Sequence, residues 1–194
     1  MSSPKPVREP SPVLSALRSS TKDRHSILDA AMPLAKPEAA WADYIEHLQI
    51  LAIWLIPLEH WLRSFSDGPQ NAKAFDFICY SDSILQDLGD DHRPPTNQLS
   101  QPISWPQRDN AAYRWGIAYV IEGSQLGGEF LYKRLSVRLA PHKLQYLLSK
   151  QPGRWPAFLQ AIAVAVTTPE DIESACAGAV DAFDALLQQL PVRV

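Results

Sequence analysis

The chain has 194 residues, a length that suits one compact domain with a sizeable core. Its 18 Lys and Arg against 21 Asp and Glu give a net charge of −3, so composition offers no reason to expect nucleic-acid binding. Its 2 cysteines exclude a disulfide scaffold, and no apolar run reaches the roughly 20 residues that a bilayer requires, so we predict a cytoplasmic protein without a membrane partner.

The pattern of prolines and apolar residues predicts an all-α protein. The 17 prolines fall mostly between periodic segments or in tails, and alternating β-branched runs are nearly absent. We predict a disordered proline-rich arm over residues 1–12 and a single helical domain over residues 13–194. Apolar periodicity places seven helices at 13–32, 37–65, 71–88, 107–139, 142–150, 155–167 and 169–190. A long loop, 89–106, precedes the fourth helix.

Half of the 8 glycines lie in the fourth predicted helix, at Gly116, Gly123, Gly127 and Gly128. A glycine inside a helix costs about 1 kcal/mol relative to alanine, so four of them need a reason. Gly116 and Gly123 project within about 20° of each other, with Gly127 about 40° further round. Such a face lets a flat ligand approach the backbone, or lets another helix pack closely. The segment alone leaves both readings open.

A lone histidine, His25, lies on the first predicted helix. Arg18 precedes it by two turns and Asp29 follows it by one, so the three share one side of the helix. A neutral imidazole is a good iron ligand, and its second nitrogen usually donates to a carboxylate such as that of Asp29. A basic residue such as Arg18 suits an anionic group on the ligand. The alternative is a structural histidine on a solvated basic face.

These two segments together resemble the haem oxygenase family. The first helix carries Leu17-Arg18, then Thr21 and His25, and residues 119–128 read Tyr-Val-Ile-Glu-Gly-Ser-Gln-Leu-Gly-Gly. The Gly-Ser-x-Leu-Gly-Gly form resembles the bacterial branch, which includes biliverdin-producing enzymes associated with bacterial phytochromes. The resemblance implies a haem-oxygenase-like multi-helix fold, with haem sandwiched between a proximal helix and a glycine-rich distal helix.

On the proximal side, the resemblance makes His25 the ligand of the iron of haem b. Asp29 stands where the family often has a carboxylate that supports this histidine, and Arg18 where it has a basic residue near a haem propionate. Phe183 stands at a position that often lines the pocket. Lys133 and Arg134 are further basic candidates, which we interpret as parts of a solvated face.

On the distal side, the resemblance makes Gly123, Gly127 and Gly128 the glycines that let the helix lie against haem. Ser124 stands where other branches have an aspartate that organises water near the iron. Proton delivery would then run through Ser124, backbone groups or ordered water.

The activity implied is that of a haem oxygenase, which uses O2 and a reductant to cleave haem to biliverdin, CO and Fe2+. The biliverdin would serve a bacterial phytochrome as chromophore, or the reaction would release iron. No Gly-x-Gly-x-x-Gly follows a strand, so electrons must come from an external donor, a ferredoxin or a flavoprotein reductase. An acidic donor would suit the basic edge formed by Arg18, Lys22 and Arg24.

Other functional classes remain open at this point. The same pocket would serve a haem carrier or sensor that does not degrade its ligand. A non-haem di-iron oxidase wants Glu-x-x-His motifs, whereas the pairs Glu46-His47 and Glu59-His60 are adjacent and point about 100° apart, so we interpret both histidines as packing or surface residues. A thiaminase-like hydrolase would need a nucleophilic cysteine, whereas Cys79 and Cys176 lie among apolar residues.

Overall fold

The regular elements of the chain are all helices over the residues that the structure, a computed structural model, describes: 11–72, 75–101, 105, 109–149 and 151–191. The α-helices are α1 Pro12–Ala31, α2 Trp41–Leu62, α3 Ser81–Leu88, α4 Thr96–Leu99, α5 Ala111–Ser124, α6 Gly128–Leu135, α7 Gln145–Leu148, α8 Arg154–Ala165 and α9 Pro169–Leu187. Short 3-10 turns occupy Pro33–Ala35, Pro69–Asn71 and Gln125–Gly127. The predicted all-α class is confirmed.

Helix α9 packs against both α1 and α5. Its contact with α5 is unusually close, because a Cβ built on Gly116 would lie 1.8 Å from the carbonyl oxygen of Ala175. The contact is reciprocal, since a Cβ on Gly178 would lie 2.0 Å from the carbonyl oxygen of Tyr113. At Gly116, therefore, the helix-packing reading of the glycine face is correct and the ligand reading is wrong.

Helix α1 is held against α9 by apolar packing and by one ion pair. Leu17 is fully buried, and the guanidinium of Arg24 donates to both carboxylate oxygens of Asp184, at 2.6 and 3.0 Å. The predicted bounds of this helix were correct to one residue. Helix α1 begins at Pro12, the last residue assigned to the arm; residues 1–10 of that arm lie outside the described residues.

Helix α3 is much shorter than the 71–88 that periodicity predicts. It begins at Ser81, where the carboxylate of Glu59 on α2 accepts hydrogen bonds from the Tyr80 amide at 2.7 Å and from the Ser81 hydroxyl at 2.6 Å. A carboxylate at the amide end of a helix satisfies unpaired N–H groups and suits the helix dipole. The start of α3 is thus fixed by a residue of another helix.

The fourth predicted helix, 107–139, is broken in the structure. Helix α5 begins after Asn110, whose side chain accepts from the amide of Ala112 at 2.8 Å, and the chain then passes through the 3-10 turn Gln125–Gly127 into α6. Residues 106–108 lie outside the described part of the chain. The break falls within the glycine-rich segment, which places the ends of two helices at the same spot.

A buried ion pair joins α5 to α8. Arg154 donates to both oxygens of Glu122, at 2.9 and 2.7 Å, and the hydroxyl of Tyr80 donates to the same carboxylate at 2.9 Å. The side chains of Glu122 and Arg154 are 4% and 9% exposed, so the carboxylate and guanidinium compensate one another away from water. This clamp fixes the part of α5 that leads into the 3-10 turn.

Candidate functional site

A cavity of about 720 Å³ opens between α1 on one side and the segment from the end of α5 into α6 on the other. Its volume lies within the range of small-molecule sites. Most of its lining is apolar, and two of the lining side chains, Leu126 and Phe130, are 41% and 68% exposed. Exposed apolar side chains around a concave site mark a surface that an apolar ligand would cover.

His25 and Asp29 form a pair on the α1 wall of the cavity. The Nδ1 atom of His25 lies 2.9 Å from Oδ2 of Asp29, the distance of an N–H···O hydrogen bond. That contact uses Nδ1, so Nε2 is the ring nitrogen not engaged by Asp29. Both side chains are well exposed, at 62% and 66%, and both line the cavity. The pairing predicted from their spacing is present.

Helix α9 contributes the floor beside His25. The ring of Phe183 lies 6.0 Å from the imidazole between centroids, tilted by 58°, and Leu186 lines the cavity one turn later. Phe183 is buried. The structure thus places Phe183 in the cavity lining next to His25.

The three glycines of the wall opposite α1 differ in how much space surrounds them. A Cβ on Gly127 would meet nothing within 4 Å, and a Cβ on Gly123 would meet only the Trp155 ring, at 3.8 Å. A Cβ on Gly128, however, would lie 2.9 Å from the carbonyl oxygen of Leu147, so this residue also serves packing against α7. All three glycines line the cavity, with Gly123 and Gly127 presenting the open backbone.

A polar cluster follows the glycines. Ser124 donates its hydroxyl hydrogen to the carbonyl of Ile121 at 2.7 Å, while the amide of Gln125 donates to Ser124 Oγ at 3.1 Å and to the Tyr146 hydroxyl at 3.0 Å. Burial raises the pKa of Tyr146 to about 12, so this phenol stays protonated. Sequence reasoning singled out Ser124 but missed Gln125, which sits at a variable position of the motif, and Tyr146, which lies outside it.

Arg18 does not line the cavity but contacts a residue that does. Burial raises the pKa of Tyr119, and the nearby positive charge of Arg18 partly offsets that rise. Tyr119 lines the cavity, with its ring 5.6 Å from that of Trp155. Arg18 therefore lies at the edge of the cavity, separated from it by Tyr119.

Arg134 differs from what the sequence suggested. It is half-buried and lines the cavity, where its guanidinium donates to the carbonyl of Leu34. Lys133 is exposed and pairs with Glu129 at 2.7 Å, as a solvated face predicts. The interpretation as a solvated face is thus correct for Lys133 and wrong for Arg134.

His47 is a further lining residue that sequence reasoning did not assign. It lies on α2, is buried, and lines the same cavity as His25. Burial lowers the pKa of His47 to about 4, so its imidazole is neutral at pH 7. The reading of His47 as a packing residue missed its place on the cavity wall. A single histidine in an apolar helix carries no signal that separates the two roles. His60, in contrast, is exposed.

The basic edge predicted for an electron donor is smaller in the structure. Arg24 is engaged with Asp184, so its charge is compensated, whereas Arg18 and Lys22 remain exposed. Exposed cations attract an acidic partner more effectively than paired ones.

The structure also bears on the two alternative enzyme classes, the di-iron oxidase and the thiaminase-like hydrolase. In the described part of the chain, no three His, Cys, Asp or Glu side chains come together as a metal-binding group. Burial and the nearby Glu59 raise the pKa of the Cys79 thiol to about 12, the opposite of what activates a nucleophile. No helix among the described residues is long and apolar enough to cross a membrane.

Comparison with known proteins assigns the family. A sequence profile described as Heme oxygenase matches residues 11–190, and the chain therefore belongs to the haem oxygenase family. It is 40% identical over 67 residues to a Heme oxygenase of Xanthomonas campestris pv. campestris (strain 8004), a match that spans 31% of this chain and 41% of that relative. Its fold is similar to that of the NO- and CO-bound haem oxygenase from Neisseria meningitidis, with a TM-score of 0.68 and 22% identity over 94% of each chain.

Proposed function

We propose that this chain is a haem oxygenase, which cleaves haem to biliverdin, CO and Fe2+ with O2 and an external reductant. One observation carries the proposal. The His25–Asp29 pair and the open backbone of Gly123 and Gly127 line the same cavity, from opposite walls. A flat ring with a metal at its centre needs these two things from a protein, a nitrogen ligand on one side and close access on the other.

The residues present fit haem. Nε2 of His25 is the atom that would bind the iron, and the Asp29 carboxylate holds the imidazole in the tautomer that keeps the Nε2 lone pair free. The space beside Gly127 lets a ring approach the backbone, since even a methyl group there would meet nothing within 4 Å. Apolar side chains such as Phe183 and Leu186 exclude water from the ring.

The polar edge of haem would lie near Arg18. Arg18 and the neighbouring Tyr119 offer a cation and a phenol to a carboxylate, which together can fix the rotation of the ring. Arg134 offers a second cation at another part of the cavity. Which of the two holds a propionate would decide which edge of the ring lies next to the distal helix.

Haem when bound supplies the redox-active iron and is itself the molecule that is degraded. The chain supplies orientation from His25, close access at Gly123 and Gly127, and a polar wall around Ser124. A neutral histidine ligand, unlike a thiolate, does not push electron density strongly toward O–O cleavage. A ferredoxin or a flavoprotein reductase would deliver the electrons beside the exposed cations Arg18 and Lys22 of α1, and a bacterial phytochrome is a candidate acceptor of the biliverdin.

The test is addition of hemin to the purified protein, followed by ascorbate or a ferredoxin system under air. We expect a Soret band that decays into the broad red absorption of biliverdin. His25→Ala should lose the iron ligand and with it at least about tenfold in turnover, because the other histidine of the cavity, His47, lies on α2 and not on the α1 wall. His60→Ala is the matched control, since His60 is exposed on α2.

Two outcomes would contradict the proposal. A Soret band that survives turnover would indicate a haem carrier or sensor instead of an oxygenase. No Soret band at all would exclude haem as the ligand. A change of biliverdin isomer in Arg18→Ala or in Arg134→Ala would show which of the two cations orients the ring.

A further inference from the structure

The wall that α2 contributes to the cavity contains a polar atom without a partner. His47 is 8% exposed, and its Nδ1 is fully buried and has no hydrogen-bond partner among the described residues. Because burial lowers the pKa of His47 to about 4, the ring is neutral at pH 7 and carries one N–H donor and one lone pair. Buried polar atoms are nearly always hydrogen-bonded, so this nitrogen calls for a partner from the cavity.

His47 lines the same cavity as Gln125 and Tyr146, and hydrogen bonds tie its helix to α7. Tyr44, one turn before His47 on the same side of α2, donates its hydroxyl to Oδ2 of Asp87 at 2.7 Å. The same oxygen accepts from the backbone amide of Tyr146 at 2.8 Å. Asp87 therefore ties the start of α7 to the turn of α2 that carries His47.

The side-chain hydrogens of Ser124 and Gln125 are already engaged. Ser124 donates to Ile121, and the amide of Gln125 donates to both Ser124 and Tyr146. Among the described cavity-lining residues, the buried nitrogens without a partner are His47 Nδ1 and Arg134 Nε, and the guanidinium of Arg134 is already held by the carbonyl of Leu34. The Tyr146 hydroxyl, Arg134 Nε and His47 each remain able to give a hydrogen bond to a small ligand without releasing another contact. Of the three side chains, His47 is the one that forms no hydrogen bond to the described residues.

We propose that His47 is a positioning residue of the gas-binding side of this site, where its Nδ1–H donates, directly or through one ordered water, to a diatomic ligand of haem. This inference rests on the proposed function. Ser124 stands at the position of the aspartate of other branches, but its hydrogen is committed to its own helix. A neutral donor fixed by burial polarises a bound gas without bringing a charge into an apolar cavity.

Carbon monoxide is a suitable probe because its stretching frequency falls when a donor approaches its oxygen. The protein is loaded with hemin, reduced and saturated with CO, and its infrared spectrum is recorded in H2O and D2O. We expect a higher frequency in His47→Phe than in the wild type, together with loss of the deuterium shift. His47→Gln, which keeps an N–H donor, should retain most of the wild-type frequency. His60→Phe removes an exposed histidine of the same helix and should leave the spectrum unchanged.

Each adverse outcome is distinct. An unchanged frequency in a His47→Phe protein that binds hemin overturns the proposal, and a lower one means that a lone pair faced the gas. If His47→Phe fails to fold, His47→Leu replaces it, and absence of a deuterium shift in the wild type overturns the proposal whatever the variants do. Failure of the proposed function would show instead as a wild-type protein with no Soret band or no biliverdin.

Discussion

Individual glycines of one helical face have different neighbours, and the difference determines what a methyl group would do. At Gly116 the added carbon would lie 1.8 Å from a carbonyl oxygen of α9, and backbone cannot move aside as a side chain does. At Gly127 it would enter open space in the cavity. The first glycine stabilises the fold, whereas the second leaves room for a ligand.

We therefore expect Gly116→Ala to lower the free energy of unfolding by at least about 3 kcal/mol, through overpacking of α5 against α9. Gly127→Ala should change it by less than about 1 kcal/mol, since alanine is the better helix former. In contrast, Gly127→Ala should weaken hemin binding, because the methyl group occupies the approach to the ring. Urea unfolding of the ligand-free protein and hemin titration check the two effects. Similar destabilisation by both variants would contradict this assignment.

At the residue scale, the sequence predicted the α1 side of the site better than the rest. His25 and Asp29 lie four apart on one helix, and that spacing alone brings Nδ1 to the carboxylate. The roles of Gly116 and Gly127 could not be separated, because they depend on whether another helix lies opposite. His47 was missed for a similar reason, since only the packing of α2 against its neighbours shows which of its faces meets the cavity.

At the scale of helices, the joint between α5 and α8 depends on one buried pair of charges. Glu122 accepts two hydrogen bonds from Arg154 and one from Tyr80, and both charged side chains are nearly inaccessible. Removing one charge would leave the other buried and uncompensated.

Glu122→Gln is accordingly expected to lower the free energy of unfolding by about 3 kcal/mol or more. Glu173→Gln, an exposed change on α9, should stay within about 0.5 kcal/mol of the wild type. Thermal or urea unfolding of the ligand-free proteins measures both. If the two substitutions cost the same, the ion pair contributes nothing particular to the joint.

Helix bounds were predictable where local signals fix them and not where distant residues do. Helices α1 and α9 begin at prolines, and the predicted bounds agree with the structure to within three residues at each end. The start of α3 is set by Glu59, a residue 22 positions before Ser81, which no local pattern reveals. The same limit explains why the glycine-rich helix was predicted as continuous when it breaks at Gln125–Gly127.

For the whole molecule, the buried His47 predicts sensitivity to acid. The pKa of His47 falls from 6.5 in the unfolded chain to about 4 in the folded protein. Between these pH values the imidazole is therefore protonated in the unfolded chain and neutral in the folded protein. The contribution of His47 to the free energy of unfolding is fully present above about pH 6.5. As the pH falls toward 4, this contribution of about 3 kcal/mol is lost. Glu59, whose pKa burial raises, acts in the opposite direction.

The contribution of His47 is isolated by comparing the ligand-free wild type with His47→Phe. We expect the wild type to lose more stability than the variant between pH 7 and pH 4.5, measured by urea unfolding at several pH values. Glu59 is common to both proteins, and its effect cancels in the difference. Parallel pH profiles would mean that His47 is as easily protonated in the folded protein as in the unfolded chain.

Helix α9 adds only Phe183 and Leu186 to the lining of the cavity, yet the helices of both walls rest on it. It acts as a spacer, because α1 lies against one side of it and α5 against another. The distance between the two cavity walls is therefore set by the packing diameter of α9, a helix that contributes few residues to the cavity itself. Its buried small residues set how closely the neighbouring helices pack against it: Ala175, Gly178, Ala179 and Ala182. Larger side chains at these positions would move the two walls apart. The size of planar ring that fits would then change although no residue of the cavity lining had been substituted.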